Sequence, residues 1–160
     1  MKEQKTNVMR ILEQKKIAYQ AHEYPHGDGP VDGVTVAELT GRDCAVVFKT
    51  LVTVGASRQN YVFVIPVAKE LDLKKAAKAV GEKSIAMIHV SEITPLTGYV
   101  RGGCSPVGMK KQLMTVFDAS ADTIPTILVS GGRIGTQIET KPTDLIALVR
   151  GTTADITVEE

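Results

Sequence analysis

The sequence predicts an α+β fold with a largely antiparallel or mixed sheet, and three observations carry that prediction. Strand-like segments outnumber helical ones. They come in adjacent pairs instead of alternating with helices, which argues against a doubly wound parallel sheet. The clearest pair is residues 44–54 and 61–67, two apolar, β-branched runs joined by the polar stretch GASRQN, which read as an antiparallel hairpin.

In order along the chain, Asn7 is positioned to cap a short helix with Val8, Ile11 and Leu12 on one face. Residues 17–24 alternate as a strand and Pro25 ends it. Residues 26–33, HGDGPVDG, read as a flexible surface loop, and residues 35–39 as a short helix stopped by Gly41. After the hairpin, Asp72 caps a helix that places Leu73, Ala76, Ala77 and Val80 at i, i+3, i+4 and i+7, with Gly81 at its end. Residues 85–90 read as a short strand, and Ser91 as the cap of a helical turn ending near Pro95. Residues 113–117 and 126–129 are strands, SGGR at 130–133 a tight turn, and residues 134–138 continue the sheet. Pro142 opens a last helix with Leu145, Leu148 and Val149 inward and Gly151 after it; residues 152–160 are expected to fray.

Composition removes several function classes. A chain of 160 residues, 43% hydrophobic and 23% charged, suits one domain with one core. No apolar run approaches the roughly 18–20 residues that span a bilayer, so no membrane partner is expected. The charged N-terminus does not read as a secretory signal. Two cysteines, Cys44 and Cys104, make no disulfide framework and point to a reducing cytoplasm. A net charge of +1 gives no basic field for gripping DNA or RNA, and the absence of Trp argues against a base-stacking platform.

The stretch TGYVRGGCSPVGMKK, residues 97–111, is the least ordinary part of the sequence. Gly98, Gly102, Gly103 and Gly108 cannot serve regular structure, because glycine inside a helix or strand costs about 0.5–1 kcal/mol relative to alanine. The stretch is either a loop whose backbone N–H groups face a ligand or an elaborate turn between strands, and it matches no phosphate-loop motif. Lys49 interrupts the apolar run VVFKTLVTV. It either points to solvent from an alternating strand or stands beside the glycine loop as a point charge for a phosphate. Cys104 reads either as a nucleophile, which would need a base or cation to form thiolate, or as a small buried side chain. Ser130 at a strand end can donate into a pocket. His22, His26 and His89 have no metal-ligand spacing, so no metal is expected. Glu23, Asp28 and Asp32 lie in or beside a solvated loop with no sign of a raised-pKa acid.

Four segments, VFKTLV around Lys49, PVAKELDLKKAAKAVG at 66–81, the 97–111 stretch and VSGGR–G at 129–135, resemble the YbaK/ProX editing domains. Within them the chain is similar to the free-standing bacterial YbaK (EbsC) subgroup of Cys-tRNA(Pro) deacylases. The resemblance implies a single editing domain over residues 1–160, with a curved, barrel-like mixed sheet surrounded by helices. It implies trans-editing of mischarged tRNA(Pro), because a synthetase pocket built for proline cannot strongly exclude cysteine. It implies no cofactor, and a substrate thiol that attacks its own ester to release a cysteine thiolactone. The matched positions put Lys49 at the tRNA 3′ end and Gly102 and Gly103 beside the aminoacyl group. Tyr24 and Ser130 match polar pocket positions. Gln137 stands where the family carries Asp, so no ionic role is expected there. Cys104 falls at an aliphatic family position. The low net charge implies tRNA delivered by, or still bound to, prolyl-tRNA synthetase. The alternatives are editing of alanine on tRNA(Pro) with tRNA-assisted hydrolysis, or a non-catalytic nucleotide- or RNA-binding module on the same fold.

Overall fold

The structure, a computed structural model, describes residues 5–27, 29 and 31–159. Asp28, one of the loop carboxylates, lies outside them. The elements are α1 (Asn7–Gln14), β1 (Gln20–Glu23), α2 (Gly33–Thr40), β2 (Phe48–Gly55), β3 (Asn60–Pro66), α3 (Leu73–Val80), β4 (Ile85–Met87) and α4 (Val90–Thr97). They continue with β5 (Met114–Asp118), a 3₁₀ turn (Ala119–Thr123), β6 (Ile127–Ser130), β7 (Thr136–Thr140), α5 (Pro142–Val149) and β8 (Thr152–Ala154).

The predicted hairpin pairs β2 with β3 in antiparallel register, Phe48 opposite Pro66 through Val54 opposite Asn60. β3 is central to a sheet of order β4-β2-β3-β5-β8 and runs parallel to β5, which in turn runs parallel to β8. That position explains why NYVFVIP is apolar at almost every residue, since both faces of a central strand are covered. A second, antiparallel sheet has the order β1-β7-β6. The sheets meet where Val47, just before β2, bridges Leu128 of β6 in parallel. The expected α+β class with a mixed sheet is present.

One core cluster packs α1, α5 and the inner faces of both sheets around Leu12, Phe48, Phe117, Ile127, Ile138 and Leu145. The opposite face of the larger sheet packs Phe63, Ile65 and Ile156 against Ala76 and Ala77 of α3.

Several local expectations are corrected. Thr6, not Asn7, caps α1, its hydroxyl accepting from the Met9 N–H at 3.2 Å. The strand read over 17–24 shrinks to β1 because Lys16 turns the chain with φ 59° directly after α1. Asp32 is the N-cap of α2, accepting from Thr35 N–H at 3.0 Å, so this loop carboxylate is structural. The expected strand over 85–90 is only β4. His89 caps α4, with Glu92 closing a capping box, and Pro95 sits inside the helix instead of ending it. The segment expected to fray does not. β8 joins the sheet, Ile156 is fully buried, and its carbonyl accepts from the Asp72 N–H at 2.8 Å. Lys75 of α3 pairs with Asp155 at 3.1 Å. Among the described residues no helix is long and apolar enough to cross a membrane.

Candidate active site

The start of β2, the 97–111 loop and the β6–β7 hairpin converge where the two sheets meet, and the residues after β1 and at the start of α2 close the remaining side. They enclose a cavity of about 210 Å3 whose walls include Tyr24, Lys49, Gly102, Ser130 and Gln137, five of the six predicted site residues. Phe48, Thr50, Arg101 and Cys104 complete the part that matters chemically.

The sheet register explains the polar wall. Ser130 and Gln137 are directly opposite across β6 and β7, so both side chains leave the same face. Ser130 Oγ accepts from the Gly132 N–H at 3.2 Å, which keeps its own hydroxyl proton free for the cavity. Gln137 is 6% exposed, and its Oε1 is buried without a hydrogen-bond partner among the described residues. Thr50 Oγ1, in the facing strand, is likewise buried and unpartnered. Orphaned buried acceptors cost about 1–3 kcal/mol each, and these two line one cavity. Thr50 was not singled out from the sequence, because a threonine in a β-branched strand gives no signal.

Gln137 sits beside a polar network also hidden from sequence reading. Glu139, two residues on and on the same face, pairs with His22 Nε2 at 2.9 Å and Arg42 at 3.2 Å and accepts from Thr126 at 2.8 Å. Burial pushes the Glu139 carboxyl up, but the hydrogen bonds from Thr126 and His22 and the Arg42 charge outweigh it and hold the group below its ordinary value. His22 is therefore tied to Glu139, and Glu23 to Thr136 at 2.8 Å. Among the described residues no cluster of three His, Cys, Asp or Glu could hold a metal ion.

Alternation along β2 puts Lys49 on the opposite face from Phe48 and Thr50, yet all three line the cavity. Lys49 is half-buried and makes no hydrogen bond or ion pair among the described residues. Burial pushes its ammonium pKa down, and the charge of Glu70 opposes this only in part. Arg101, exposed, stands at the same rim.

The glycine-rich stretch serves two purposes. Gly103 is buried and does not line the cavity: its N–H donates to the Val100 carbonyl at 2.9 Å. A Cβ there would lie 3.0 Å from the Arg133 Cα, so Gly103 lets the loop dock on the β6–β7 turn. Gly108 has φ 74° and similarly lets the loop approach Ile11 of α1 and Tyr99. Gly102 is the residue turned to the cavity, with φ 86°, and its N–H has no partner among the described residues. Cys104 is on the wall, but burial pushes its thiol up to about 11, against a hydrogen bond with Thr97. At neutral pH it is a thiol, not a thiolate, and no histidine lines the cavity with it. The arrangement offers cations and hydrogen-bond partners for an anionic, carbonyl-bearing ligand, and no activated protein nucleophile.

Comparison with known proteins gives the same direction. The chain is 45% identical over 158 residues, 99% of its length and 96% of the relative's, to an Enterococcus faecalis protein provisionally named Cys-tRNA(Pro)/Cys-tRNA(Cys) deacylase EbsC. Its fold matches a crystal structure provisionally described as a trans-editing enzyme for prolyl-tRNA synthetase, with a TM-score of 0.81 and 26% identity over 98% of this chain and all of that one. The crystal structure of a hypothetical protein, 23% identical and covering 96% of this chain and 100% of its own, shares the fold with a TM-score of 0.85. Residues 31–148, which hold every cavity residue named above except Tyr24, match the aminoacyl-tRNA editing domain, and the chain belongs to that family.

Proposed function

We propose that this protein is a trans-editing deacylase that removes cysteine from Cys-tRNA(Pro), with the substrate's own thiol as nucleophile. One observation carries the reading: the cavity gathers Lys49, Gly102, Ser130, Gln137 and Thr50 around a space with no competent nucleophile among the described residues. An enzyme for a self-cleaving ester needs only to position it. Holding reacting groups in an attack geometry can supply about 7–11 kcal/mol of a barrier.

In this reading the Lys49 ammonium holds the 3′-terminal phosphate as a point charge. The Gly102 N–H donates to the developing oxyanion on the ester carbonyl. Gly103, whose N–H is already bonded, acts by docking the loop that presents Gly102. Gln137 Oε1 and Thr50 Oγ1 accept from the α-ammonium, and the Tyr24 and Ser130 hydroxyls complete the polar wall. The substrate Sγ–C bond forms, the C–O3′ bond breaks, and its electron pair and the thiol proton go to the ribose oxygen. The products are cysteine thiolactone and free tRNA, an intramolecular acyl transfer instead of a hydrolysis. Work of this kind belongs in the cytoplasm, on tRNA handed over by prolyl-tRNA synthetase, because a chain of net charge +1 gives little long-range pull on tRNA.

The test is deacylation of Cys-tRNA(Pro) by the purified protein, with and without prolyl-tRNA synthetase. Loss of the ester at least about 10²-fold faster than in buffer is expected, a magnitude typical of a single well-placed transition-state donor. A rate equal to buffer in both conditions would remove the catalytic reading. A second expectation separates binding from stability. Gln137→Leu removes a buried orphan acceptor, so the variant melts at the same or a higher temperature while KM for Cys-tRNA(Pro) rises about tenfold. A lowered melting temperature with unchanged KM would make Gln137 a structural residue only.

A further inference from the structure

A separate cleft of about 460 Å3 lies at the far end of the larger sheet. The β2–β3 turn gives it Arg58, the start of β3 gives Asn60 and Tyr61, the end of α3 gives Val80, and the run into β5 gives Lys111. Among the described residues no carboxylate lines it. Glu82 stands behind the Tyr61 hydroxyl and accepts from it at 2.6 Å. Its oxygens also accept from the Ser57 N–H at 3.1 Å and from the Ser57 hydroxyl, so both are in use. Arg58 and Lys111 are exposed, and neither side chain has a hydrogen-bond or ion-pair partner among the described residues.

The turn gives up stability to carry Arg58. The Gly55 N–H donates to the Gln59 carbonyl at 2.8 Å, and the Arg58 N–H donates to the Gly55 carbonyl at 2.9 Å. This is the pattern of a three-residue hairpin loop whose last residue is left-handed. Glycine is the ordinary occupant of that position, because it adopts positive φ without steric cost. Here the residue is Arg58, with φ 74°. A strained residue that glycine could replace more cheaply marks a place where the side chain itself is used.

We infer that Arg58 and Lys111 bind backbone phosphates of the tRNA where its single-stranded 3′ end joins the acceptor stem. The inference rests on the deacylase reading above. Sheet register sets the distance between the two sites. Lys49 is opposite Ile65, and Tyr61 follows four residues away on β3, so Lys49 and Tyr61 leave the same sheet face. From Ile65 to Asn60 is five residues, which at about 3.3 Å each puts the cleft about 17 Å from Lys49. At about 3.4 Å per nucleotide of a stacked strand, that is about five nucleotides back from the phosphate held by Lys49. The 97–111 stretch joins the sites, with Gly102 on the catalytic cavity and Lys111 on this cleft. A guanidinium grips phosphate oxygens with two parallel bonds, and an ammonium adds a point charge. Such contacts fix the position of a nucleic acid without reading its sequence, so the cleft aligns the ester with the cavity. Two local cations do this without a high net charge, as in this chain of +1.

Two measurements test this on the whole protein. In the first, an uncharged RNA hairpin with the tRNA(Pro) acceptor stem and its single-stranded 3′ end is titrated while the Arg58 and Lys111 amides are followed by NMR. Both are expected to shift, with an affinity that falls as salt rises. No shift at either would overturn the inference whether or not the protein is a deacylase. In the second, Arg58→Gly and Lys111→Gln are compared with wild type on Cys-tRNA(Pro) and on the cysteinyl ester of adenosine, which is too short to reach the cleft. Each variant is expected to raise KM for Cys-tRNA(Pro) about fivefold with kcat within about twofold, the mark of lost uniform binding. The preference for the tRNA ester over the short ester falls by the same factor. The slope of log kcat/KM against log salt becomes shallower by about 0.7–0.9 for each lost contact. Arg58→Gly is also expected to melt higher than wild type, because it releases the left-handed arginine. Higher melting with unchanged KM would make Arg58 a feature of the turn alone and overturn the inference. Equal losses on both esters would place the effect in the catalytic cavity and overturn it as well. Cleavage of Cys-tRNA(Pro) by a wild type whose Arg58 and Lys111 amides ignore the hairpin would keep the deacylase reading and remove this one.

Discussion

Lys49→Ala is expected to lower kcat/KM for Cys-tRNA(Pro) by about 10²–10³-fold, the scale of losing one charged, well-placed group at a developing charge. The reason lies in what the protein leaves undone. Lys75, on the surface of α3, has Asp155 and Glu159 as ion-pair partners and is pushed up by them. Lys49 is half-buried, has no such partner among the described residues, and is pushed down by burial with only Glu70 opposing. A partly desolvated cation without a counter-ion stabilises nothing in the free protein. An anionic ligand restores the missing interaction, so binding pulls the Lys49 pKa back up, and protons are taken up when complex forms at alkaline pH. The sign for folding is the reverse of an ion pair. The depressed pKa makes Lys49 a destabilising group while protonated, and this relaxes as pH rises through its folded value. Lys49→Ala therefore leaves melting unchanged or slightly raised near neutral pH. Lys49→Arg keeps the charge and recovers part of the activity, with geometry lost because a planar fork replaces a compact ammonium. Full activity in Lys49→Ala, measured as deacylation with thermal melting as the control, would show that no step depends on this charge.

The fold was largely legible because its strongest signals are local. Asp72 and Gly81 bracket α3 as their residue types dictate, with the carboxylate accepting from Lys74 and Lys75 N–H and the glycine at φ 75°. The β2–β3 hairpin follows from two β-branched runs and a polar turn in which Arg58 takes φ 74°. What was not legible depends on distant partners. Residues 152–154 have no apolar run to announce a strand, and they become β8 only because β5 offers an open edge. The site divides in the same way. Lys49 stood out as a charge in an apolar run, and Gly102 as a glycine without a helical or strand role. The sequence could not say that Gly103 packs on Arg133 while Gly102 faces the cavity, since that difference is set by the β6–β7 turn. Thr50 was missed altogether. Its buried hydroxyl, with no partner among the described residues, acquires meaning only from the cavity that it lines together with Gln137.

The central claim is that the substrate supplies the nucleophile, and the side-chain atom of the esterified amino acid tests it most directly. Cysteine and serine have nearly the same size and the same polar backbone, so a cavity of about 210 Å3 that accepts one admits the other. They differ in what they can attack with. A thiol loses its proton near pH 8–9 and is intrinsically nucleophilic, whereas a hydroxyl needs an adjacent base, and the cavity wall carries no histidine to serve. Alanine has nothing to attack with. The measurement is kcat/KM for Cys-tRNA(Pro), Ser-tRNA(Pro) and Ala-tRNA(Pro) side by side. The account predicts rapid loss of the cysteinyl ester alone, with the seryl and alanyl esters at least about 10³-fold slower, the range spanned by general-base assistance that this cavity does not supply. Alanyl ester lost as fast as cysteinyl ester would contradict substrate-thiol chemistry and assign the protein to the branch in which the tRNA itself assists hydrolysis.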